Sequence, residues 1–265
     1  MKETVHNIIA PVDMTIALIA DFHNADPTDI LSSLQAHHPD MIAIAGDFLV
    51  GYRPGENLIV EEQTSVLQLI AGCARLAPTF VSLGNHEWMI SDEDVEKIER
   101  TGAVALDNSF VSHTVNGRTV VLGALTSAVV TNYRQFRAGK DERYPYRERR
   151  PHGRRIEPEI GWLDEFEAVP GFRVLLCHHP EYYPRYLVNR KIDLILSGHA
   201  HGGQVRLFGR GVYAPGQGLL PKYTSGVYDG KLVVSRGLAN TAGVLRLFNP
   251  TEIVYVRLSS EREWR

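Results

Sequence analysis

The chain has 265 residues, with 28 lysine and arginine residues against 31 aspartate and glutamate residues, and this length allows one α/β domain or two small ones. The net charge of −3 excludes a globally basic nucleic-acid binder, although it leaves local basic patches open. Two cysteines, Cys73 and Cys177, are too few for a disulfide scaffold and form no Cys-x-x-Cys pair, so we expect free thiols.

The first residues predict neither a signal peptide nor a membrane-spanning segment. Pro11 and Asp13 interrupt the apolar residues before a stretch of about 18 is reached, which is the length that a spanning helix requires. We therefore expect a cytoplasmic, reducing environment, while a longer natural N-terminus is left open.

The first half of the chain alternates short apolar runs with helical stretches, which predicts parallel strands joined by right-handed crossovers. Ser91, followed by three acids, is a typical helix cap. Asn116-Gly117 predicts a tight turn between two strands of a hairpin. The predicted elements are strands at 14–20, 40–45 and 79–83, helices at 27–38, about 60–77 and 92–101, and a hairpin within 109–127.

The second half begins with a segment, residues 126–160, that is rich in arginine and lacks apolar periodicity. A helix at about 158–168, a strand at 172–177, a helical stretch near 181–190 and a strand at 192–197 follow. The tail alternates again around an Asp229-Gly230 turn and predicts a second, mostly antiparallel sheet. We expect an α/β fold with two sheets face to face and helices outside. One domain would span 1–265, with an arginine-rich insertion at about 127–160.

Five of the apolar runs end in carboxylate, amide or imidazole side chains. Because ligand sites of such sheets lie beyond the carboxyl ends of their strands, these polar ends would converge on one rim. The glycines around the two histidines of "GHAHGG" would let the backbone turn tightly there. The convergent side chains are Asp21, His23, Asp47, Asn85, His178, His199 and His201.

This donor set contains carboxylate, imidazole and amide groups but no thiolate. It favours manganese, iron or zinc over the all-oxygen sites of magnesium and calcium. Seven side chains exceed the needs of one ion and suffice for two if one carboxylate bridges. Two metals about 3.5–4 Å apart form the arrangement that clamps a phosphoryl group for in-line attack.

Five motifs resemble, in the same order, the motif series of the calcineurin-like metallophosphoesterases over residues 14 to about 204. They are Asp21-Phe22-His23, Gly46-Asp47, Gly84-Asn85-His86-Glu87, His178, and Gly198-His199-Ala200-His201. The tail resembles a bacterial subgroup of this family that often carries an N-terminal membrane anchor, which we do not expect here. The resemblance implies a two-sheet αββα sandwich. One departure is Val50, which stands where the family often has a further aspartate.

The resemblance also implies a role for each matched residue. Asp21, His23, Asp47 and His201 would hold one metal, while Asp47, Asn85, His178 and His199 would hold the other, with Asp47 bridging. His86 would be the catalytic histidine that stabilises the transition state or protonates the leaving oxygen.

Two neighbours of these motifs leave alternatives. His179 competes with His178 as a ligand, and only one of them can face the metals because adjacent strand residues face opposite sides. The family spacing of histidine, one residue and proline favours His178. Glu87 is expected to support its neighbours rather than to react.

The function implied by the resemblance is hydrolysis of a phosphate mono- or diester by a hydroxide held between two divalent ions. Manganese is expected, with iron or zinc as alternatives. A nuclease acting on DNA or RNA and a non-catalytic scaffold are the competing functions. The segment Arg134–Arg155, with nine cations against three acids, is the feature that favours nucleic acid or a lid that binds anionic substrates. Oligomeric state is left open.

Overall fold

The structure is a computed structural model, and it describes residues 1–51, 58–137, 157–240 and 245–260. The strands of these residues are β1 (Lys2–Ile9), β2 (Met14–Ile19), β3 (Met41–Ala45), β4 (Thr79–Ser82), β5 (Val104–Leu106), β6 (Ser109–Val115), β7 (Arg118–Leu125), β8 (Phe172–Cys177), β9 (Leu194–Ser197), β10 (Arg206–Leu207), β11 (Arg210–Gly211), β12 (Tyr213–Ala214), β13 (Gly218–Leu219), β14 (Gly226–Tyr228), β15 (Leu232–Val234) and β16 (Glu252–Ser259). The helices are α1 (Thr28–His37), α2 (Ile59–Glu62), α3 (Thr64–Leu76), α4 (Asp92–Glu99), α5 (Ala128–Arg137) and α6 (Leu163–Ala168). Short 3-10 turns at Pro180–Tyr182 and His201–Gly203 and a π-turn at Tyr183–Leu187 complete them.

Two six-stranded sheets form the centre of the molecule. The first has the order β1-β16-β2-β3-β4-β5, in which β2 to β5 run parallel and β16 runs antiparallel to β2. The second has the order β14-β15-β9-β8-β7-β6. Its four central strands are parallel, and an antiparallel hairpin lies at each edge. The ribbons β10-β11 and β12-β13 follow β9 in the chain.

Three apolar layers confirm the predicted αββα sandwich. Helices α1, α3 and α4 cover the outer face of the first sheet, where Leu34 and Ile70 are fully buried. Leu18 and Leu122 belong to the layer between the two sheets, which draws side chains from both of them. Phe166 of α6 packs on the outer face of the second sheet. Each sheet is therefore covered on both faces, which is why its central strands are apolar along their whole length.

The prediction for the tail was wrong. Its strands do not form a separate antiparallel sheet, because β16 inserts into the first sheet while β14 and β15 extend the second, mixed sheet. Strand β1, which the sequence analysis did not predict, pairs with β16 at the edge of the first sheet. An alternating pattern shows that a segment is extended and half-buried, but it does not say which strand lies beside it.

The helical predictions need smaller corrections. The helix expected at 60–77 is divided into α2 and α3, and the helix expected at about 158–168 begins at Leu163. Helix α5 forms inside the segment 126–160, where no element was predicted, because Ala128 and Val130 pack into the core. Residues 138–156, with most of the arginine-rich segment, lie outside the described residues. None of the described helices has the length and apolar character needed to span a bilayer.

Local predictions based on turn and capping chemistry are confirmed. The hairpin β6-β7 turns at Asn116 and Gly117, both of which have positive φ. Cys73 and Cys177 are buried and free. At the start of α4 the Ser91 hydroxyl accepts a hydrogen bond from the Asp94 N–H (3.1 Å), and Asp94 Oδ2 accepts one from the Ser91 N–H (3.0 Å).

This capping box predicts a measurable loss of stability on Ser91→Ala. The substitution removes the acceptor for a helix N–H, and we expect the free energy of unfolding to fall by about 1 kcal/mol. Ser91→Thr keeps the acceptor and should change stability far less. Urea denaturation of both variants and the parent measures the difference, and equal stability of all three would show that the cap contributes nothing.

Candidate metal centre

The predicted ligands lie on one rim, where the carboxyl ends of the two sheets meet. Asp21 follows β2, Asp47 follows β3, His178 follows β8, and His199 follows β9. The His199 N–H donates to both carboxylate oxygens of Asp21, at 3.1 Å each, which links the second sheet to the first. Parallel strands in both sheets thus deliver polar ends to the same place, as the sequence analysis expected.

The backbone is strained where these residues lie. A positive φ is uncommon for residues other than glycine and costs on the order of 1–3 kcal/mol. Such conformations concentrate at sites where side chains must be aimed in one direction. Five of the seven predicted ligands adopt it, namely Asp21 (φ 52°), His23 (48°), Asp47 (53°), His199 (63°) and His201 (44°).

Asp21, His23 and His201 form one half of the centre. Their donor atoms lie within 4.8 Å of one another, and His201 Nε2 is 3.5 Å from Asp21 Oδ1. His23 Nδ1 lies 2.9 Å from the Leu49 carbonyl, and His201 Nδ1 lies 3.3 Å from the Ala239 carbonyl. A carbonyl oxygen can only accept a hydrogen bond, so the proton of each ring is on Nδ1. Each Nε2 atom then has a lone pair that can bind a metal ion, which is the arrangement of metal-binding histidines.

Asp47, His178 and His199 form the other half. His178 Nε2 is 3.0 Å from Asp47 Oδ2, and its Nδ1 lies 2.8 Å from the Ala45 carbonyl. Asn85 is half-buried and lies in the chain between Gly84 and His86, whose N–H groups bind Glu87 and Asp47. The buried atoms of the rim that have no hydrogen-bond partner among the described residues include His23 Nε2, Asn85 Oδ1 and His199 Nε2. Buried polar atoms normally have partners, so this set fits the coordination of divalent cations.

The protonation of two of the histidines agrees with a ligand role. Burial lowers the pKa of His23 to about 4 and that of His199 to about 3, so both imidazoles are neutral at pH 7. His178 is equally buried, but Asp47 and Asp21 outweigh the effect of burial and raise its pKa to about 10. The two buried carboxylates therefore draw positive charge to the centre, and divalent cations would supply it.

His86 lies at the same rim but closer to solvent. Its side chain is 19% exposed, against 0% for His178, and its Nε2 is 3.9 Å from Asp47 Oδ2. The His86 N–H donates to Asp47 Oδ1 at 2.8 Å, and its ring stands 4.5 Å from that of His23. His23, Asp47 and His86 also bring three donor atoms within 4.8 Å, so geometry alone permits His86 either as a ligand or as a proton donor.

His178 contacts the Asp47 carboxylate, whereas His179 lies beside Glu181 and His199 and forms a further group of three donor atoms with them. The His179 ring nitrogens lie 2.8 Å from Ser127 Oγ and 3.1 Å from Glu181 Oε1. Glu181 is a rim residue that the sequence analysis missed, since its Oε1 also lies 3.5 Å from His199 Nε2. No motif or spacing distinguishes it from a surface acid.

Glu87 is buried and supports the loops that carry Asp47 and Asn85. Its carboxylate accepts hydrogen bonds from the N–H groups of Asp47 (2.8 Å), Leu49 (2.9 Å) and Gly84 (2.7 Å). Burial and the negative charge of Asp47 raise the pKa of Glu87 to about 8, and the hydrogen bonds from Leu49 and Asp47 oppose that rise. The contacts agree with the expected supporting role.

Residues 14–203 match the family model of the calcineurin-like phosphoesterases. The chain therefore belongs to this family, as its motifs indicated, and it is a phosphoric ester hydrolase with candidate clusters of metal ligands.

Three proteins are similar to this chain in sequence or in structure. The chain is 28% identical over 236 residues to the uncharacterized protein YpbG of Bacillus subtilis, covering 88% of this chain and 76% of YpbG. It is 26% identical over 203 residues to phosphodiesterase YaeI of Escherichia coli, covering 72% of this chain and 62% of YaeI. A solved structure, the 5'-nucleotidase precursor of Thermus thermophilus, matches with a TM-score of 0.49 and 15% identity over 74% of this chain and 43% of its own. The chain thus spans less than two thirds of YaeI and less than half of the nucleotidase precursor.

The contacts of Glu87 generate a prediction for Glu87→Gln. The amide presents an N–H group where an acceptor is needed, so one backbone donor loses its partner. We expect the free energy of unfolding to fall by about 1–3 kcal/mol and the affinity for Mn²⁺ to fall roughly 10- to 100-fold. Exposed Glu165→Gln is the matched control. Denaturant unfolding and metal titration measure both effects, and unchanged metal affinity would contradict the supporting role.

Proposed function

We propose that this chain is a binuclear phosphoesterase dependent on divalent cations, with Asp47 shared between the two ions. The observation that supports this proposal is the position of the Asp47 carboxylate. A carboxylate oxygen of Asp47 comes within 4.8 Å of donor atoms of His23 and His86 in one group, and of His178 and His199 in a second group. A carboxylate between two donor sets is suited to bridge two ions.

Each remaining residue takes a place in this proposal. Asp21, His23 and His201 would complete the first ion's set with Asp47, and Asn85, His178 and His199 would complete the second. The mixed nitrogen and oxygen donors favour Mn²⁺, with iron or Zn²⁺ as alternatives. When bound, two such cations supply Lewis-acid polarisation of a phosphoryl oxygen and activation of water.

His86 is the residue that would contribute to catalysis without binding a metal ion. Its imidazole lies on the open side of the rim, next to the carboxylate shared by both halves. This position suits it to hold a proton for the leaving oxygen of a phosphate ester. The substrate would be a phosphate mono- or diester, and similarity to a protein named phosphodiesterase supports diesters as the first to test.

The shared role of Asp47 predicts the outcome of Asp47→Asn. The amide has a single oxygen and no charge, so we expect bound Mn²⁺ to fall from two equivalents toward one or none and phosphodiesterase activity to be lost. Inductively coupled plasma mass spectrometry and hydrolysis of bis-p-nitrophenyl phosphate measure the two effects. The matched control is exposed Asp29→Asn. Two equivalents retained with full activity would remove Asp47 from the centre.

His86→Ala should behave differently from a ligand substitution. We expect both metal equivalents to remain, while kcat falls by roughly 10²- to 10⁴-fold on an ester with an alkyl leaving group. The loss on a p-nitrophenyl ester should be much smaller, because p-nitrophenolate leaves without protonation. Equal losses on both esters would show that His86 stabilises charge on the phosphoryl group instead, and loss of one metal equivalent would make it a ligand.

A further inference from the structure

A group of large apolar side chains protrudes into solvent from the turns that follow β9. Its members are Leu207 (50% exposed), Phe208 (103%), Leu219 (78%), Leu220 (81%), Leu247 (48%) and Phe248 (80%), and we call them the apolar surface. Single exposed apolar residues are normal on protein surfaces, but six of them on turns joined by hydrogen bonds indicate a contact with another molecule.

Three of these residues also occupy strained backbone positions. Phe208, Leu220 and Phe248 have φ values of 50°, 51° and 55°. Phe208 and Gly209, whose φ is 80°, form the two-residue turn of the β10-β11 hairpin, and such a turn favours Asn-Gly. Turn chemistry and solvent exposure would both select a polar residue at these three places. Three apolar residues at exposed positions with positive φ are not explained by folding, so they indicate a role in contacting another molecule.

The turns of the apolar surface are joined to each other and to the metal rim. The Arg206 N–H donates to the Leu247 carbonyl (3.0 Å), and the Leu220 N–H donates to the Val212 carbonyl (2.9 Å). Asn249, next to Phe248, donates from Nδ2 to the His201 carbonyl at 2.7 Å. The surface therefore borders the rim.

The same part of the chain is basic. Residues 198–251 contain six lysines and arginines and one acid, in a chain whose net charge is −3. Arg210 and Lys222 are exposed, and Arg206 and Arg236 line a shallow depression of about 470 Å³ between Phe208 and Phe248. Arg206 donates to the carbonyls of Gly202 (2.8 Å) and Gly209 and to Thr224 Oγ1 (3.2 Å), and Arg236 pairs with Glu252. The exposed Arg210 and Lys222 therefore supply the charge that an external anion can meet.

We propose that the apolar surface docks on a lipid bilayer with anionic headgroups. Single apolar side chains at turn tips, with arginines and lysines between them, suit insertion below the headgroups while the cations bind phosphates. A protein partner would instead be expected to meet a flat or concave apolar patch, whereas Phe208 is fully exposed at a turn tip and the depression beside it is lined by Arg206 and Arg236. This docking is independent of the chemistry proposed for the metal centre and would hold the rim beside the bilayer.

The test is co-sedimentation of the full chain with vesicles of phosphatidylglycerol and phosphatidylcholine. We expect binding to vesicles that contain phosphatidylglycerol, weakened by salt. The triple variant Phe208→Asn, Leu220→Asn and Phe248→Asn should bind at least roughly tenfold more weakly. Asparagine tolerates positive φ, so thermal stability should be unchanged or raised, which separates lost docking from lost folding.

A second variant tests the electrostatic contribution of the cations to vesicle binding. Arg210→Gln with Lys222→Gln should weaken binding by roughly fivefold per cation and flatten its salt dependence. Ile9→Asn is the control, since Ile9 is 63% exposed but pairs with Ser259 at the end of its sheet opposite the rim. The triple variant should keep its activity on soluble bis-p-nitrophenyl phosphate.

Two results would overturn the proposal. One is absence of vesicle binding by the parent chain, or equal binding by parent and triple variant. The other is a concentration-dependent dimer in sedimentation that the triple substitution abolishes without any vesicle binding, because this would assign the apolar surface to a second copy of the chain.

Discussion

The metal centre depends on two buried carboxylates at the junction of the sheets, because their negative charge must be compensated by the groups around them. Asp21 and Asp47 are at most 1% exposed, and a buried ionised carboxylate is stable only when hydrogen bonds and positive charge compensate it. The His199 and His86 N–H groups donate to them, and His178 lies within 3.8 Å of both. The same demand for positive charge that organises these contacts makes the junction a place where cations would bind.

Close packing of backbone around the carboxylates limits which residues can form this junction. A Cβ at Gly84 would lie 2.3 Å from Asp47 Oδ1, and one at Gly237 would lie 2.6 Å from Asp21 Oδ2. A side chain at either glycine would therefore displace the carboxylate beside it. Glu87 holds two of the loops together, because its carboxylate accepts hydrogen bonds from the N–H groups of Asp47 and Gly84.

The last two ligands of the rim, His199 and His201, are followed in the chain by the turns of the apolar surface, and the two groups have different requirements. Residues up to His201 must be buried and aimed inward, whereas Phe208 and Phe248 must remain in solvent. Asn249 connects the two by binding the carbonyl groups of His201 and Gln204 (2.7 and 3.0 Å). The backbone of the last ligand loop is thus fixed from the side of the outer turns by Asn249.

The sequence by itself determined the strands that carry the centre and their polar ends, because apolar runs and turn residues are local signals. It also determined the hairpin at Asn116-Gly117 and the cap at Ser91, where the chemistry lies within a few residues. Only the tertiary structure decided that β16 lies between β1 and β2, that α5 packs as a helix, and that Glu181 lies beside His199. These depend on contacts between distant segments, and a periodic pattern records how much of a residue is buried but not what covers it.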